Sequence, residues 1–389
     1  MEKLQVTDRI AQFTQEGSNM PCCVVAFSGP DGLLLVDSGQ SAQAVGLRAE
    51  IQAMGFEAPT YIINTHASLA NVGGNGAFGE TPTIVAHTGT SNIMRGDSHL
   101  LADLPEAAFP DEEMDAPKTI HFNGEEIRIL PLPGSHTPTD MVVHFVNAGV
   151  ACVGDIYGGR FFPFSAFGGK VTEFSRVMRE LQEILPADTK LLYGHQAGIG
   201  ELGDFDEIIQ MAEETIPLVQ AGLDAGKDRP ALMDEPLPSK WDHLSRPGAT
   251  ARGWIYGVIN SLLGPQAEPP SIVKPLFDGY KTDGAEGAIA CYRELVADGL
   301  EKGPGVERSL LRIAYWLLLD RAKPSDAVKL FKHWTVEFPE SWNAFDSLAE
   351  GYVALGEKEM AIASYKKSLE LNPENENGKS ELVKLGVDV

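Results

Sequence analysis

The histidines of this 389-residue chain are few and unevenly placed, and the informative ones sit where short apolar runs stop. His66 closes Tyr61-Ile62-Ile63-Asn64-Thr65 and opens a segment ending in Gly73-Gly74-Asn75. His136 follows Pro131-Leu132-Pro133-Gly134-Ser135 and precedes Thr137-Pro138-Thr139-Asp140. Asp155 ends Val150-Ala151-Cys152-Val153-Gly154, and His195 ends Leu191-Leu192-Tyr193-Gly194. Imidazoles and carboxylates are the groups that carry protons near neutral pH and hold metal ions. Four of them at the ends of four runs, each beside glycine or a small residue, are what a site along one edge of a sheet requires. The other chemistry-bearing residues read as structure. Cys152 lies inside an apolar strand and packs there, His87 and His144 belong to strands, and His121 alternates with apolar neighbours and faces solvent. No Gly-x-Ser-x-Gly elbow is present, and Gly73-Gly74-Asn75-Gly76 lacks the lysine and the spacing of a phosphate loop.

The elements that must position these groups are short and β-rich before Gly200. Cys22 to Phe27 and Leu33 to Asp37, joined by Ser28-Gly29-Pro30-Asp31-Gly32, read as a hairpin. Runs at Tyr61 to Thr65, Thr83 to Ala86, Thr119 to Phe122, Ile127 to Leu132, Met141 to Val146, Val150 to Val153 and Lys190 to Tyr193 continue the strands. Ala42 to Met54 and Val171 to Leu185 have helical spacing. Strand clusters with intervening helices predict an α/β sandwich with helices outside two sheets. From about Asp204 the pattern turns helical, at Phe205 to Ala225 and Thr250 to Leu263, with an aperiodic Lys227 to Pro247 between them. Gly264 to Pro270 reads as a linker, and helix pairs follow it.

The last region repeats. Ala327 and Ala361, Phe331 and Tyr365, and Pro339 and Pro373 each recur at an offset of 34 residues, the period of the tetratricopeptide signature. Ser341 to Pro373 resembles that family through Trp342, Leu348, Gly351-Tyr352, Gly356, Ala361-Ile362, Tyr365 and Leu371-Asn372-Pro373. Such an array is expected to offer a surface for a peptide or protein partner, or for self-association.

Residues from about 20 to 205 resemble the metallo-β-lactamase fold. The tracts are Leu33-Leu34-Leu35-Val36-Asp37-Ser38-Gly39, Ile63-Asn64-Thr65-His66, Gly73-Gly74-Asn75, Gly134-Ser135-His136-Thr137, Val153-Gly154-Asp155 and Tyr193-Gly194-His195, with Gly159-Arg160 and the aromatic tract after it. The resemblance implies a four-layer αββα sandwich whose loops hold one or two metals, usually zinc. The chain departs from the family where the pattern His-x-His-x-Asp-His is expected and reads His66-Ala67-Ser68-Leu69-Ala70-Asn71 instead. Carried over residue by residue, His66, His136 and the bridging Asp155 keep a first ion, whereas Asp155 and His195 alone remain for a second. The expectation is therefore one ion, with zinc first and iron or manganese compatible with the donors. His195 would be a ligand or the proton-carrying base. Asp37 is expected to orient the ligands, Ser68 and Asn71 to stand in the vacated positions, and Tyr157 and Arg160 to line the pocket, Arg160 attracting a substrate carboxylate.

Composition bounds the function. Lys plus Arg is 31 and Asp plus Glu is 55, a net charge of −24, which repels phosphate backbones and argues against a nuclease or a nucleic-acid binder. No apolar run reaches the ~18 residues of a membrane span, and Met1-Glu2-Lys3-Leu4-Gln5 has no signal-peptide core, so a soluble chain, cytoplasmic as given or exported in mature form, is expected. Four cysteines make no disulfide framework. The expected organisation is a metallo-β-lactamase-like domain at 1–205, a helical connector at 206–264 and all-α tetratricopeptide-like repeats at 271–389. The expected activity is metal-dependent hydrolysis of a small-molecule ester, thioester, lactone or amide. The alternative is a non-catalytic pseudoenzyme, without metal, that binds a ligand or partner.

Overall fold

In the computed structural model, residues 1–15, 20–95, 104–246, 249–264, 272–320 and 322–387 are described. Those up to 264 form one compact unit and those from 272 a second. The linker read at Gly264 to Pro270 lies, from 265 on, outside the described residues.

The first unit is built on two mixed sheets. One has seven strands in chain order: β1 (Glu2–Gln5), β2 (Ile10–Gln15), β3 (Cys22–Gly29), β4 (Gly32–Val36), β5 (Tyr61–Ile63), β6 (Thr83–His87) and β7 (Glu112–Met114). Its first four strands pair antiparallel and β4 to β7 run parallel. The other sheet comprises β8 (Lys118–Phe122), β9 (Glu125–Pro131), β10 (Met141–Phe145), β11 (Val150–Cys152) and β12 (Lys190–Leu192), with only β11 and β12 parallel.

The continuous apolar runs of β3 and β4 have a simple cause: both faces are covered. Because successive side chains alternate, Val25 and Phe27 point into the inter-sheet core with Ile127, Val143 and Phe145, while Val24 and Ala26 point outward to meet Leu47 and Ile51. Those two residues belong to α1 (Ala44–Ala53); α2 (Leu69–Val72) and α3 (Thr88–Arg95) are short helices that follow β5 and β6. The outer face of the second sheet, through Val142, Ala151 and Leu191, is covered by α4 (Phe174–Ile184), α5 (Phe205–Asp224), α6 (Arg229–Met233) and α7 (Ala251–Leu263). The layers are αββα. Residues 206–264 contribute Ile208, Trp254 and Val258 to this core, and even the aperiodic stretch between α5 and α7 buries Trp241 and Leu244.

The second unit is all helical: α8 (Val273–Ala297), α9 (Pro304–Tyr315), α10 (Pro324–Glu337), α11 (Trp342–Leu355), α12 (Lys358–Leu371) and α13 (Glu376–Lys384). The first of these breaks at Asp283 and Gly284, where glycine takes φ 58. The starts and ends of α10 and α12 are 34 residues apart (324 to 358, 337 to 371). The paired positions Ala327 and Ala361, and Phe331 and Tyr365, are all buried. Among the described residues no helix is long and apolar enough to cross a membrane.

Candidate metal centre

The site is made where strands of both sheets stop on the same edge. His66 follows β5, His136 lies in the loop from β9 to β10, Asp155 opens the turn after β11, and His195 follows β12. Packing of the two sheets brings these ends together. His66 Nε2, His136 Nε2 and His195 Nε2 lie 3.3, 3.5 and 2.9 Å from one atom, Asp155 Oδ2. All four residues are buried. His66, His136 and Asp155 form a group whose donor atoms all lie within 4.8 Å of one another; His195 reaches the same carboxylate from outside that group.

Each ring is held by its other nitrogen. His136 Nδ1 donates to Phe164 O at 2.8 Å and His195 Nδ1 to Pro21 O at 2.7 Å; a carbonyl only accepts, so Nδ1 carries the proton in both. Thr65 Oγ1 spends its proton on Asp37 Oδ2 at 2.8 Å, which leaves it to accept from His66 Nδ1 at 3.2 Å. Three Nε2 atoms therefore converge on one carboxylate oxygen, that of His195 within hydrogen-bond distance at 2.9 Å. Three buried atoms around this site make no hydrogen bond: His66 Nε2, Asp155 Oδ1 and Asn71 Oδ1. Lone pair facing lone pair is repulsive unless a cation or a proton stands between them. Donors on a common tetrahedral ion with bonds of 2.0–2.1 Å stand roughly 3.3 Å apart, the spacing found around Asp155. The residues fit one ion.

The proton alternative shows in the electrostatics. Burial alone would lower His195, but the Asp155 charge outweighs it and holds the imidazole well above its ordinary value. Burial likewise opposes the charged form of His66, and Asp155 again reverses the sign. His136, pulled down by burial and by the neighbouring His66, falls to about 4. Asp155 is held well below the carboxylate range: burial pushes it up, and the charges of His195 and His66 more than offset that.

A second layer fixes these groups. Asp37, in the left-handed region at φ 61, accepts from Thr65 N and Asn71 Nδ2 as well as from the Thr65 hydroxyl. Asp140 accepts from Thr137 N and Oγ1 and ties down the loop carrying His136. Gly194 has no room for a side chain, since a Cβ there would stand 2.0 Å from Asp155 Oδ1.

The positions that differ from the family pattern do other work. Ser68 Oγ accepts from Ala70 N as the cap of α2. Asn71 donates from Nδ2 to Asp37 Oδ2 at 2.9 Å, and its Oδ1 is buried without a hydrogen-bond partner. Tyr157 is buried against Tyr193 and Phe205 and lines a narrow cavity with Asp155, His195, Phe161 and Phe164. Arg160 is exposed and turned to Glu207, which accepts from Nε at 2.5 Å and Nη2 at 2.8 Å. Its expected role toward a substrate carboxylate is thus filled by a carboxylate of the chain itself. Sequence reading gave no role to Thr65 or Asp140. Thr65 stands next to His66, and Asp140 follows Thr137-Pro138-Thr139, so the hydroxyls and carboxylate beside the histidines are the signal in the sequence.

An αββα sandwich with a His/Asp site at one edge of its sheets defines the class. Residues 21–195 match the family model described as Metallo-beta-lactamase superfamily and form a domain of that superfamily. The stereoselective inverting sec-alkylsulfatase Pisa1 from Pseudomonas sp. is similar in structure at TM-score 0.55 and 14% identity, over 94% of this chain and 65% of that one. A double mutant of the same sec-alkyl sulfatase gives 0.55 and 15%, over 95% and 65%. A metallo-beta-lactamase from Pontibacter korlensis aligns at 0.49 and 15%, over 55% of this chain and 98% of its own. The chain thus spans about 65% of the length of the alkylsulfatase structures. At these identities the likeness is one of fold. No curated protein matches the sequence.

Proposed function

We propose that the first unit is a metal-dependent hydrolase with a single ion on His66, His136 and Asp155, acting on an ester, thioester, lactone or amide. The observation that carries this reading is the convergence of three Nε2 atoms on Asp155 Oδ2. A divalent ion held there would supply Lewis acidity and lower the pKa of a water to about 7. Zinc suits two imidazoles and a carboxylate best, with iron and manganese as the other ions to test. The chain's residues do the rest. His66, His136 and Asp155 hold the donors in fixed tautomers, backed by Thr65, Asp37 and the Phe164 carbonyl. His195, fixed by Pro21 O, holds Nε2 against Asp155, where it accepts the proton released by the attacking water and returns it to the leaving group. Phe161 and Phe164 exclude water from the approach.

Hydrolysis of a panel of carboxylic, thio- and sulfate esters, lactones and amides tests this; the sulfate esters enter because of the fold shared with a sec-alkylsulfatase. Activity should vanish with chelator, return with metal, and be absent in His136→Ala. Activity that survives both chelator and His136→Ala contradicts the mechanism. No turnover of any member leaves a binding protein, the reading favoured by the hydrogen bond that closes Asn71 onto Asp37. The 34-residue offset in α10 and α12 supports a tetratricopeptide-like role for the second unit, as a surface for a peptide partner or a second copy.

A further inference from the structure

We propose that Arg246 is the subsite for a carboxylate on the substrate, at the far end of an aromatic track that starts at the metal ligands. The position of the scissile bond in this proposal rests on the hydrolase reading. Phe164 packs edge-on to His136 at 5.2 Å and lies 6.4 Å from His195. Phe161 stacks on Phe164 at 6.4 Å and 20°. The Arg246 guanidinium lies over Phe161, 3.8 Å from the ring centre. Phe161, Phe164, Asp155 and His195 line one cavity, so the track runs along its wall. Arg160, the cation nearer in sequence, is neutralised by Glu207, which also accepts from His243.

Arg246 has no such partner among the described residues. One of its N–H groups donates to Arg160 O at 3.2 Å, which fixes the side chain without consuming its charge. In a chain with 55 acidic against 31 basic residues, a guanidinium beside a pocket with no acid on it is a positive point in a negative field. Its planar fork suits a carboxylate, which can take two parallel N–H groups. The substrate class that follows is a half-ester of a dicarboxylic acid, or an ester of an arylalkyl acid bearing a second carboxylate. An apolar chain about two rings long would lie between the anion at Arg246 and the bond at Asp155 and His195.

Calorimetric titration of the zinc-loaded full chain with 4-phenylbutyrate and its neutral isostere 4-phenylbutanamide tests the subsite without turnover. The carboxylate should bind about tenfold tighter, the worth of a charge-assisted hydrogen bond. Arg246→Met should bring the two affinities together, whereas Arg160→Met should leave the preference intact. Equal affinities in the parent, or a preference that survives Arg246→Met as direct binding to the ion would produce, overturn the proposal. If Arg246→Met fails to fold, the parent decides: the preference must shrink as sodium chloride is raised, and a salt-independent preference contradicts it. Turnover is read separately. A carboxylate preference without hydrolysis sinks the hydrolase and keeps the subsite, and hydrolysis without preference does the reverse.

Discussion

Asp155 Oδ2 is the meeting point of this site: three imidazoles, each held through Nδ1, turn Nε2 toward it. The Asp37–Thr65–His66 relay is the part of that lock a single substitution can cut cleanly. Thr65→Val removes the hydroxyl and should weaken zinc binding by roughly 10- to 100-fold, the usual effect of losing a ligand's hydrogen-bond partner, measured by competition with a chromogenic chelator. Gly194→Ala should abolish zinc binding while the circular dichroism spectrum stays unchanged, because its Cβ displaces Asp155 Oδ1 before it meets the core. Unimpaired zinc binding in that variant would place the ion elsewhere. Acid should act in opposite directions with and without metal. Burial, opposed by His66, holds Asp37 and Asp140 at about 6, above the ordinary carboxylate, and His66 and His195 are raised as well. All four bind protons more readily folded than unfolded, so each contributes stability that is present at low pH and lost as pH rises through its folded pKa. His136, lowered to about 4, opposes them between its folded and its ordinary value. The metal-free protein should therefore melt higher at about pH 5.5 than at pH 8, whereas the metal-bound protein, whose ion competes with protons for the same Nε2 atoms, should melt lower. Parallel melting curves would contradict the shared site. The residues that meet at Asp155 were legible in the sequence because each ends an apolar run. Arg246 was not, since its meaning comes only from lying over Phe161, 85 residues earlier in the chain.

The strands of the inter-sheet core could be read from alternation and glycine punctuation, and β3, β4, β9 and β10 stand close to where those patterns put them. The first two strands escaped notice because β2 reads Ile-Ala-Gln-Phe-Thr-Gln, too polar for a strand buried along its length. Its polarity has a local cause: Gln12 donates to Tyr193 O and accepts from Gly198 N, tying the strand to the loops around His195. In the helical unit the repeat spacing was visible, and the close packing behind it can be tested. A Cβ at Gly351 in α11 would stand 2.8 Å from Val328 Cγ2 in α10, so Gly351→Ala should cost about 1–3 kcal/mol by overpacking. Gly356→Ala, at φ 74 in the cap of α11, should cost roughly 1 kcal/mol from the left-handed backbone alone. Urea unfolding of the full chain, with the transition of this unit followed separately, reads both. A neutral Gly351→Ala would contradict close packing of α10 against α11 at this position.

At the scale of the molecule, a charge of −24 makes a polyanionic substrate a poor match and a small substrate a good one, with Arg246 as a local exception. The division of labour also shifts. Residues 206–264, expected as a connector, cover the second sheet and place Arg246 over Phe161. The resemblance in sequence covered residues from about 20 to 205 and the family model matches 21–195, but only the packed chain shows Asn71 Nδ2 donating to Asp37 at a position where the family pattern has a ligand. One ion per chain is therefore the central claim. It is tested most directly by inductively coupled plasma mass spectrometry of the full chain, purified without chelator and dialysed after exposure to zinc, iron or manganese. The predicted result is one equivalent of divalent metal per chain, lost together in His66→Ala and His136→Ala. No retained metal, or two equivalents, or one equivalent that survives both substitutions, would contradict it.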